Sequence, residues 1–329
     1  MRTRFIGALA AVAAVGFVLT AVHVTAQAAA GQGAAAQGGG GRGGRGGGAA
    51  RPAEPVRACP TVRDFAAFHA CALEKMKTFK PKLTADGKPD MNGIWSPTRS
   101  AQDIEEIKQG QYGDFPPSKS LIVDPPNGRI PYNSWAMKER INNEKVFLSP
   151  TAVCLPVAQP RWSYSPVSVT GHRIIQQPNL IVLSMERLHT FRMIRMNSTA
   201  PALPKGMHLW EGDSRGRWEG NTLVIQTTHL NDLMWMDHIG TFMSPDTTTE
   251  ERFTFVDADT IHYQETITDA NVFTQPWKIA IALLRQQPED IKDTMDLEDT
   301  TVENCEEELR HMMNMGQTPF PGYKALAPK

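Results

Sequence analysis

Cysteine is scarce in this chain: there are four in 329 residues, and none stand in a CxxC pair, a zinc-ribbon spacing or a haem-attachment motif. The cysteine-based zinc-ribbon, CxxC and haem-attachment chemistries are thereby excluded; a metal at the Glu186, His189 and Arg192 cluster has no familiar ligand spacing behind it, and neither a metal nor a cofactor is expected. Beyond about Val22 no apolar run approaches membrane length, so no integral membrane segment is expected after the N-terminus. An excess of positive charge is also missing. Residues 58–329 carry 28 Lys and Arg against 34 Asp and Glu, a formal charge near −6, which disfavours nucleic acid or anionic lipid as a partner.

What the chain does have begins with Arg2 and Arg4, followed by an Ala-, Val- and Leu-rich run from Phe5 to about Val22 and by Ala26-Gln27-Ala28. A charged start, an apolar middle and a small-x-small tripeptide are the parts of a cleaved secretory signal, predicted here over residues 1–28. An uncleaved anchor is the alternative, disfavoured by the weakly lipophilic Ala and Gly content and the good cleavage site. Residues 29–57 are dominated by Ala, Gly, Gln and Arg and read as a disordered tether. Its Gly40-Gly41-Arg42-Gly43-Gly44-Arg45 core is RGG-like, but an exported tether has little occasion to meet RNA. The predicted location is the periplasm or the medium.

In an oxidising compartment the four cysteines Cys59, Cys71, Cys154 and Cys305 allow two disulfides in three pairings. Were residues 59–71 one helix, Cys59 and Cys71 would lie about 18 Å apart, out of reach of each other. A local Cys59–Cys71 bond requires the helix to begin after Cys59, which Pro60 and Thr61 permit. It would leave Cys154–Cys305 as a long-range link.

Residues 58–89 read as a helical lead-in, with Phe65, Phe68, Ala72 and Met76 near helical spacing. Residues 90–329 read as a single β domain. A first strand covers Asp90–Trp95, and a helix is predicted over Asn133–Val146. From Gly171 onward short alternating runs are separated by turn residues such as Pro178-Asn179, Gly220-Asn221 and Ala258-Asp259. Hairpins at this spacing predict a mainly β fold, an antiparallel meander of about ten strands closed into a barrel or sandwich. A last strand over 293–302 and a helix over 304–315 complete the prediction. Gly93-x-Trp95 resembles the opening signature of lipocalin-type barrels, in which the Trp plugs the closed end.

Strand alternation selects the candidate chemistry. Glu265 shares a face with Ile261, Tyr263 and Ile267, and Glu251 shares one with Phe253 and Phe255. His229 ends the row Leu223, Ile225, Thr227. A carboxylate among apolar side chains costs several kcal/mol unless paired or protonated, so inward Glu and His mark an acid–base or ligand-anchoring cluster. Arg192, Arg195 or Arg252 could equally serve them as structural ion-pair partners. Glu186-x-x-His189-x-x-Arg192 is a second cluster, which needs a bend after Glu186 to converge. Gly212-Asp213-Ser214-Arg215-Gly216 matches the G-x-S-x-G elbow of α/β-hydrolases, but without surrounding α/β alternation it reads as a turn with Arg217 and Glu219 on an exposed edge. Trp210, Trp218, Trp235 and Trp277, with numerous Met, could line an apolar pocket or simply fill the core.

Three segments resemble a family of exported proteins of unknown function found in soil bacteria such as Acidobacteria. They are Glu186-x-x-His189-x-x-Arg192-x-Ile194, the stretch from Gly212 to Val224, and a C-terminal part containing Glu250-Glu251-Arg252-Phe253, Asp257-Ala258-Asp259-Thr260 and Pro276-Trp277. Cys154-Leu155-Pro156 and a late Cys such as Cys305 also fit, and the resemblance supports pairing those two. His229 and His238 depart from the pattern, where Asn and Arg are more usual. The family implies no reaction.

The sequence therefore leaves three functions open: a barrel that binds a small, largely apolar molecule; a lyase, isomerase or hydrolase in the same pocket; or a cell-envelope interaction protein. In the enzyme, Glu251 or Glu265 would be the base, His189 the acid, and Arg192 or Arg217 the stabiliser of negative charge. The candidate catalytic residues are Glu186, His189, Glu251 and Glu265. The candidate ligand contacts are Arg192, Asp213, Arg217, Trp235 and Tyr263.

Overall fold

Period-two runs joined by two-residue turns leave the chain little choice but hairpins, and these hairpins close on themselves. A computed structural model describes residues 57–98, 103–111, 117–153, 155–156, 159, 161, 172–185, 190–286 and 316–328, all within one compact unit, Glu54–Lys329. Its strands are β1 (Gly93–Pro97), β2 (Ile122–Asp124), β3 (Phe147–Leu148), β4 (His172–Gln177), β5 (Leu180–Met185), β6 (Phe191–Met196), β7 (Asp213–Glu219), β8 (Thr222–Thr228), β9 (Thr248–Asp257), β10 (Thr260–Thr268), β11 (Trp277–Arg285) and β12 (Thr318–Pro319). Nine of them close a barrel in the order β1-β4-β5-β6-β7-β8-β9-β10-β11, with β11 returning to β1. β2 occupies the half of the β11 edge that β1 leaves free, pairing at Lys278 and Ile279 while β1 pairs at Leu283–Arg285. β12 and β3 form a separate two-stranded ribbon.

The mainly β barrel agrees with the sequence reading, but the expected all-antiparallel meander does not hold at one seam. β6 and β7 run parallel, paired at Arg195–Arg215 and Met196–Gly216. The cause is arithmetic. Strands that alternate up and down around a ring can all be antiparallel only if their number is even, so nine strands force a parallel seam. The long connection between Met196 and Asp213 supplies the required crossing. The strand predicted over 293–302, the helix over 304–315, and Cys154 and Cys305 lie outside the described residues.

One face of every strand fills the interior. Trp95, Ile174, Ile181, Leu183, Ile194, Met196, Leu223, Phe253, Phe255, Ile261, Ile281 and Leu283 make an apolar core. At Gly216 a Cβ would sit 2.4 Å from Met196 Sδ and 2.8 Å from Ile194 Cγ2, so glycine is what allows β6 and β7 to approach. Near the β1 end, Trp95 meets Phe255 edge-on at 5.7 Å and donates its indole N–H to the Met91 carbonyl at 2.9 Å. The Arg285 guanidinium lies over the same ring at 4.1 Å.

A smaller core sits outside the barrel. Helix α1 (Phe65–Lys75) starts where the Asp64 side chain accepts a hydrogen bond from the Ala67 N–H. Starting there leaves Cys59 outside the helix, and the Cys59–Cys71 disulfide forms with its Cα atoms 5.9 Å apart. Phe68 and Ala72 then pack on Val256 and Ala282. Between helix and barrel, His262 Nε2 and His69 Nδ1 share a 2.9 Å hydrogen bond.

Burial drives the His262 pKa down to about 3, and His69 is lowered by burial and by Lys278. The folded protein thus keeps His262 neutral, while the unfolded chain binds a proton below about pH 6.5. This contribution is fully present above that pH and is lost as pH falls toward about 3. His262→Leu should therefore flatten the decline in urea midpoint between pH 7.5 and 5. An equal decline in parent and variant would show that the acid sensitivity arises elsewhere.

Candidate functional site

The apolar interior is interrupted by one group of polar side chains, placed there by the same alternation. β9 turns Thr249 and Glu251 inward, β10 turns Tyr263 and Glu265 inward, and Glu251 and Glu265 are direct cross-strand partners. β8 contributes Thr227, β7 contributes Ser214 and β6 contributes Arg192, all buried.

Arg192 organises the group. Its Nη2 is 2.5 Å from Glu251 Oε2 and donates to Thr227 Oγ1 at 2.6 Å, while Nε donates to Ser214 Oγ at 2.8 Å. Gln159 Nε2 donates to Glu251 Oε1 at 3.2 Å. The Tyr263 hydroxyl lies between the two glutamates, 3.1 Å from Glu251 Oε1 and 2.9 Å from Glu265 Oε2. Glu211, in the turn before β7, stands close enough for its charge to couple to both Arg192 and Glu251.

Burial sets the protonation states. Removal from water opposes the charge on Arg192, but Glu251 outweighs that cost and the guanidinium stays charged. Glu265 is pushed well above the ordinary carboxylate range, first by burial and then by the charge on Glu251. Burial likewise raises Glu211 to about 8. At neutral pH the group is thus one ion pair with two protonated carboxyls beside it.

The Thr249 hydroxyl serves Glu265, but among the described residues several buried atoms of the group have no hydrogen-bond partner: Arg192 Nη1, both Glu211 carboxyl oxygens and Gln159 Oε1. Such groups ordinarily find partners, because each one left alone costs about 1–3 kcal/mol.

Of the residues singled out in the sequence, Arg192, Glu251, Tyr263 and Glu265 come together here. Glu186 and His189 lie outside the described residues. Asp213 is buried but faces outward, paired with Arg195 and, at 2.8 Å, with Arg215. Arg217 is also on the outer face, in a lattice with Glu219, Glu250 and Arg252, and does not stabilise charge inside the barrel. Trp235 belongs to the apolar core, edge-on to Phe320 at 5.5 Å. His229 leaves the inward row because its backbone turns into the left-handed region (φ 59°), where its Nδ1 meets the Thr228 hydroxyl. A protonated Glu265 is a hydrogen-bond donor and an acid, so the role of base assigned to it does not suit its surroundings.

Sequence reasoning missed Glu211, Ser214, Gln159 and Thr249. Ser214 was legible from alternation with Trp218, but the elbow motif drew attention to its nucleophilicity instead. Gly212 makes the turn (φ 63°) and Asp213–Glu219 is plain strand, so the strand–turn–helix context of a serine hydrolase is absent from these residues. Gln159 lies in a segment without periodicity, which offered no signal.

A cleft of about 820 Å³ lies elsewhere, between residues 103–111 and 129–144, and shares no lining residue with the barrel group. Its walls are charged groups of both signs, including the Arg129–Glu105 ion pair. Among the described residues no group of three or more His, Cys, Asp or Glu could hold a metal ion, and no helix is long and apolar enough to cross a membrane. No protein-family model, curated protein or solved structure matches the chain.

Proposed function

We propose that this is an exported protein that holds a small, largely apolar molecule inside its barrel, with the molecule's polar end at Arg192, Glu251, Tyr263 and Glu265. The observation that carries this reading is the set of buried atoms without partners among the described residues, Arg192 Nη1 and the two Glu211 carboxyl oxygens foremost. A polar head group would supply the missing hydrogen bonds, and the packed apolar side chains around it would part to receive the remainder of the molecule. Export is supported by the three-part N-terminal signal and by the Cys59–Cys71 disulfide, which suits an oxidising compartment. The stretch from Gly212 to Val224, a turn plus the β7–β8 hairpin, supports kinship with the exported soil-bacterial family.

The test uses N-phenyl-1-naphthylamine, an uncharged dye that brightens in apolar surroundings. Saturable binding, displaced by 1-decanol, is expected. The charge-free variant Arg192→Met/Glu251→Leu, confirmed as folded by circular dichroism, should bind decanol about tenfold or more weakly, the equivalent of one lost hydrogen bond to a charged group. No saturable binding, or equal affinity in the folded variant, would remove the barrel interior as the site.

A further inference from the structure

Helix α2 (Ser134–Val146) is fixed in place by its buried residues Ala136 and Asn143, and Asn143 Nδ2 donates to the Gly240 carbonyl at 3.1 Å. Glycine at 240 allows this contact, since a Cβ there would lie 2.7 Å from Asn143 Cβ. The helix thereby presents Met137, Arg140, Ile141 and Glu144, spaced as neighbours over two turns, to the cleft of about 820 Å³. The opposite wall is tied down as well. Glu105 pairs with Arg129 and accepts the Ile130 N–H at 2.9 Å, and the Leu121 N–H donates to the Ile104 carbonyl at 2.9 Å. Beneath, the Tyr132 hydroxyl donates to Thr241 Oγ1 at 2.8 Å, and Thr241 Oγ1 donates to the buried Asp237 carboxylate at 2.6 Å. The cleft is thus preformed, with a volume in the range of small-molecule sites.

Two kinds of side chain stand uncommitted on the α2 wall. Met137 and Ile141, 38% and 43% exposed, are large apolar groups one turn apart. Beside them, the Arg140 guanidinium and the Glu144 carboxylate form no hydrogen bond or ion pair among the described residues. Partial burial opposes the charge on Arg140, but Asp237, Tyr132, Asp103 and Glu144 outweigh that and raise its pKa. The guanidinium already has the negative surroundings that its charge calls for. What it lacks is an acceptor at hydrogen-bond distance.

We propose that this cleft is a site for neutral saccharides, with sugar hydroxyls on Arg140 and Glu144 and one ring face against Met137 and Ile141. It is separate from the barrel group, with which it shares no lining residue, and does not depend on the barrel reading. A hydroxyl both accepts and donates, so neighbouring ring hydroxyls serve a donor-only guanidinium and an acceptor-only carboxylate together. The C–H face of the ring meanwhile takes the exposed apolar pair out of water, which a bare ion would not do. An acidic sugar fits less well. Its carboxylate at Arg140 would enter the field of Asp103, Asp237 and Glu144, the same field that holds the guanidinium charged.

Isothermal titration calorimetry of the protein at pH 7 tests this with cellotriose and maltotriose as neutral probes and trigalacturonate as the anionic one. At least one neutral trimer is expected to bind with a Kd of about 1 mM or tighter, and about tenfold or more tighter than trigalacturonate. Arg140→Met keeps the apolar stem and should weaken that binding about tenfold or more. Glu144→Ala, at an exposed helix position that tolerates alanine, should weaken it about threefold or more, and it decides the point should Arg140→Met not fold. The folded barrel variant Arg192→Met/Glu251→Leu should bind the trimer as the parent does. Failure of both neutral trimers to bind, or trigalacturonate binding equally well or better, would overturn the assignment. So would unchanged affinity in the folded cleft variants, or loss of binding in the folded barrel variant.

Discussion

Replacing Glu251 with alanine is expected to remove about 3–5 kcal/mol of folding stability, because it strands the Arg192 guanidinium in the barrel. Side chains of both residues are fully shielded from solvent, so water cannot take over the lost contact. Tyr263 and Gln159 would lose a hydrogen-bond acceptor in the same step. With a urea slope of about 2–3 kcal/mol per molar, the unfolding midpoint should fall by about 1–2 M. Removing both charges should hurt much less. Arg192→Met/Glu251→Leu fills similar volume without a buried charge, and replacements of that kind are often neutral or stabilising. Ser214 and Thr227 still face each other at 3.1 Å, and Tyr263 keeps Glu265, so few polar groups are left stranded in the double variant. The single variant should thus unfold well before the double. An Ala variant within 1 kcal/mol of the parent would mean that the ion pair is not the structural centre of the group.

This ordering of variants bears on function as well as on folding. If an apolar pair can replace Arg192 and Glu251 without loss of the fold, stability alone does not explain why the barrel contains them. A polar group whose own members remain partly unsatisfied contributes less to folding than an apolar core of the same volume.

Alternation made much of this legible. It located the inward positions of Glu251, Tyr263 and Glu265 because β9 and β10 are long, regular and joined by a two-residue turn, so that their faces follow from a count by twos. The same count leads to Thr227 and Ser214. It does not lead to Glu211 or Gln159, which reach the group from segments outside the strands, where a side chain's direction depends on tertiary contacts. Nor did it reveal the parallel β6–β7 seam, since a strand's periodicity is the same whichever way its neighbour runs. Asp213 and Arg217 show the opposite failure. Their charges looked functional in a motif, yet an odd number of steps from Ser214 (one for Asp213, three for Arg217) puts both on the outer face, where ion pairs with Arg195, Arg215, Glu219 and Glu250 account for them.

Trp95→Ala should be comparably severe, at about 3–5 kcal/mol, for a different reason. Trp95 is fully buried, and its ring supports contacts on three sides: Phe255 edge-on inside the barrel, the Met91 carbonyl at the indole N–H, and the Arg285 guanidinium over its face. Alanine would leave a cavity bounded by strands on both sides, with β1 paired to β4 and β11, so the surroundings have little freedom to collapse into it. The energetic order within the site can be separated by milder changes. Trp95→Phe keeps an aromatic edge for Phe255 and a face for Arg285, and loses the N–H bond and part of the volume. It should cost roughly 1–3 kcal/mol. Arg285→Met removes the cation from the ring together with its 2.9 Å hydrogen bond to the Asn92 carbonyl and its ion pair with Asp259, and should cost about 1 kcal/mol. Urea midpoints should therefore fall in the order Arg285→Met, Trp95→Phe, Trp95→Ala, from least to most affected. Should Trp95→Ala prove no worse than Arg285→Met, the β1 strand would not be an integral stave of the barrel. The ring would then close elsewhere than through the β4–β1–β11 pairings.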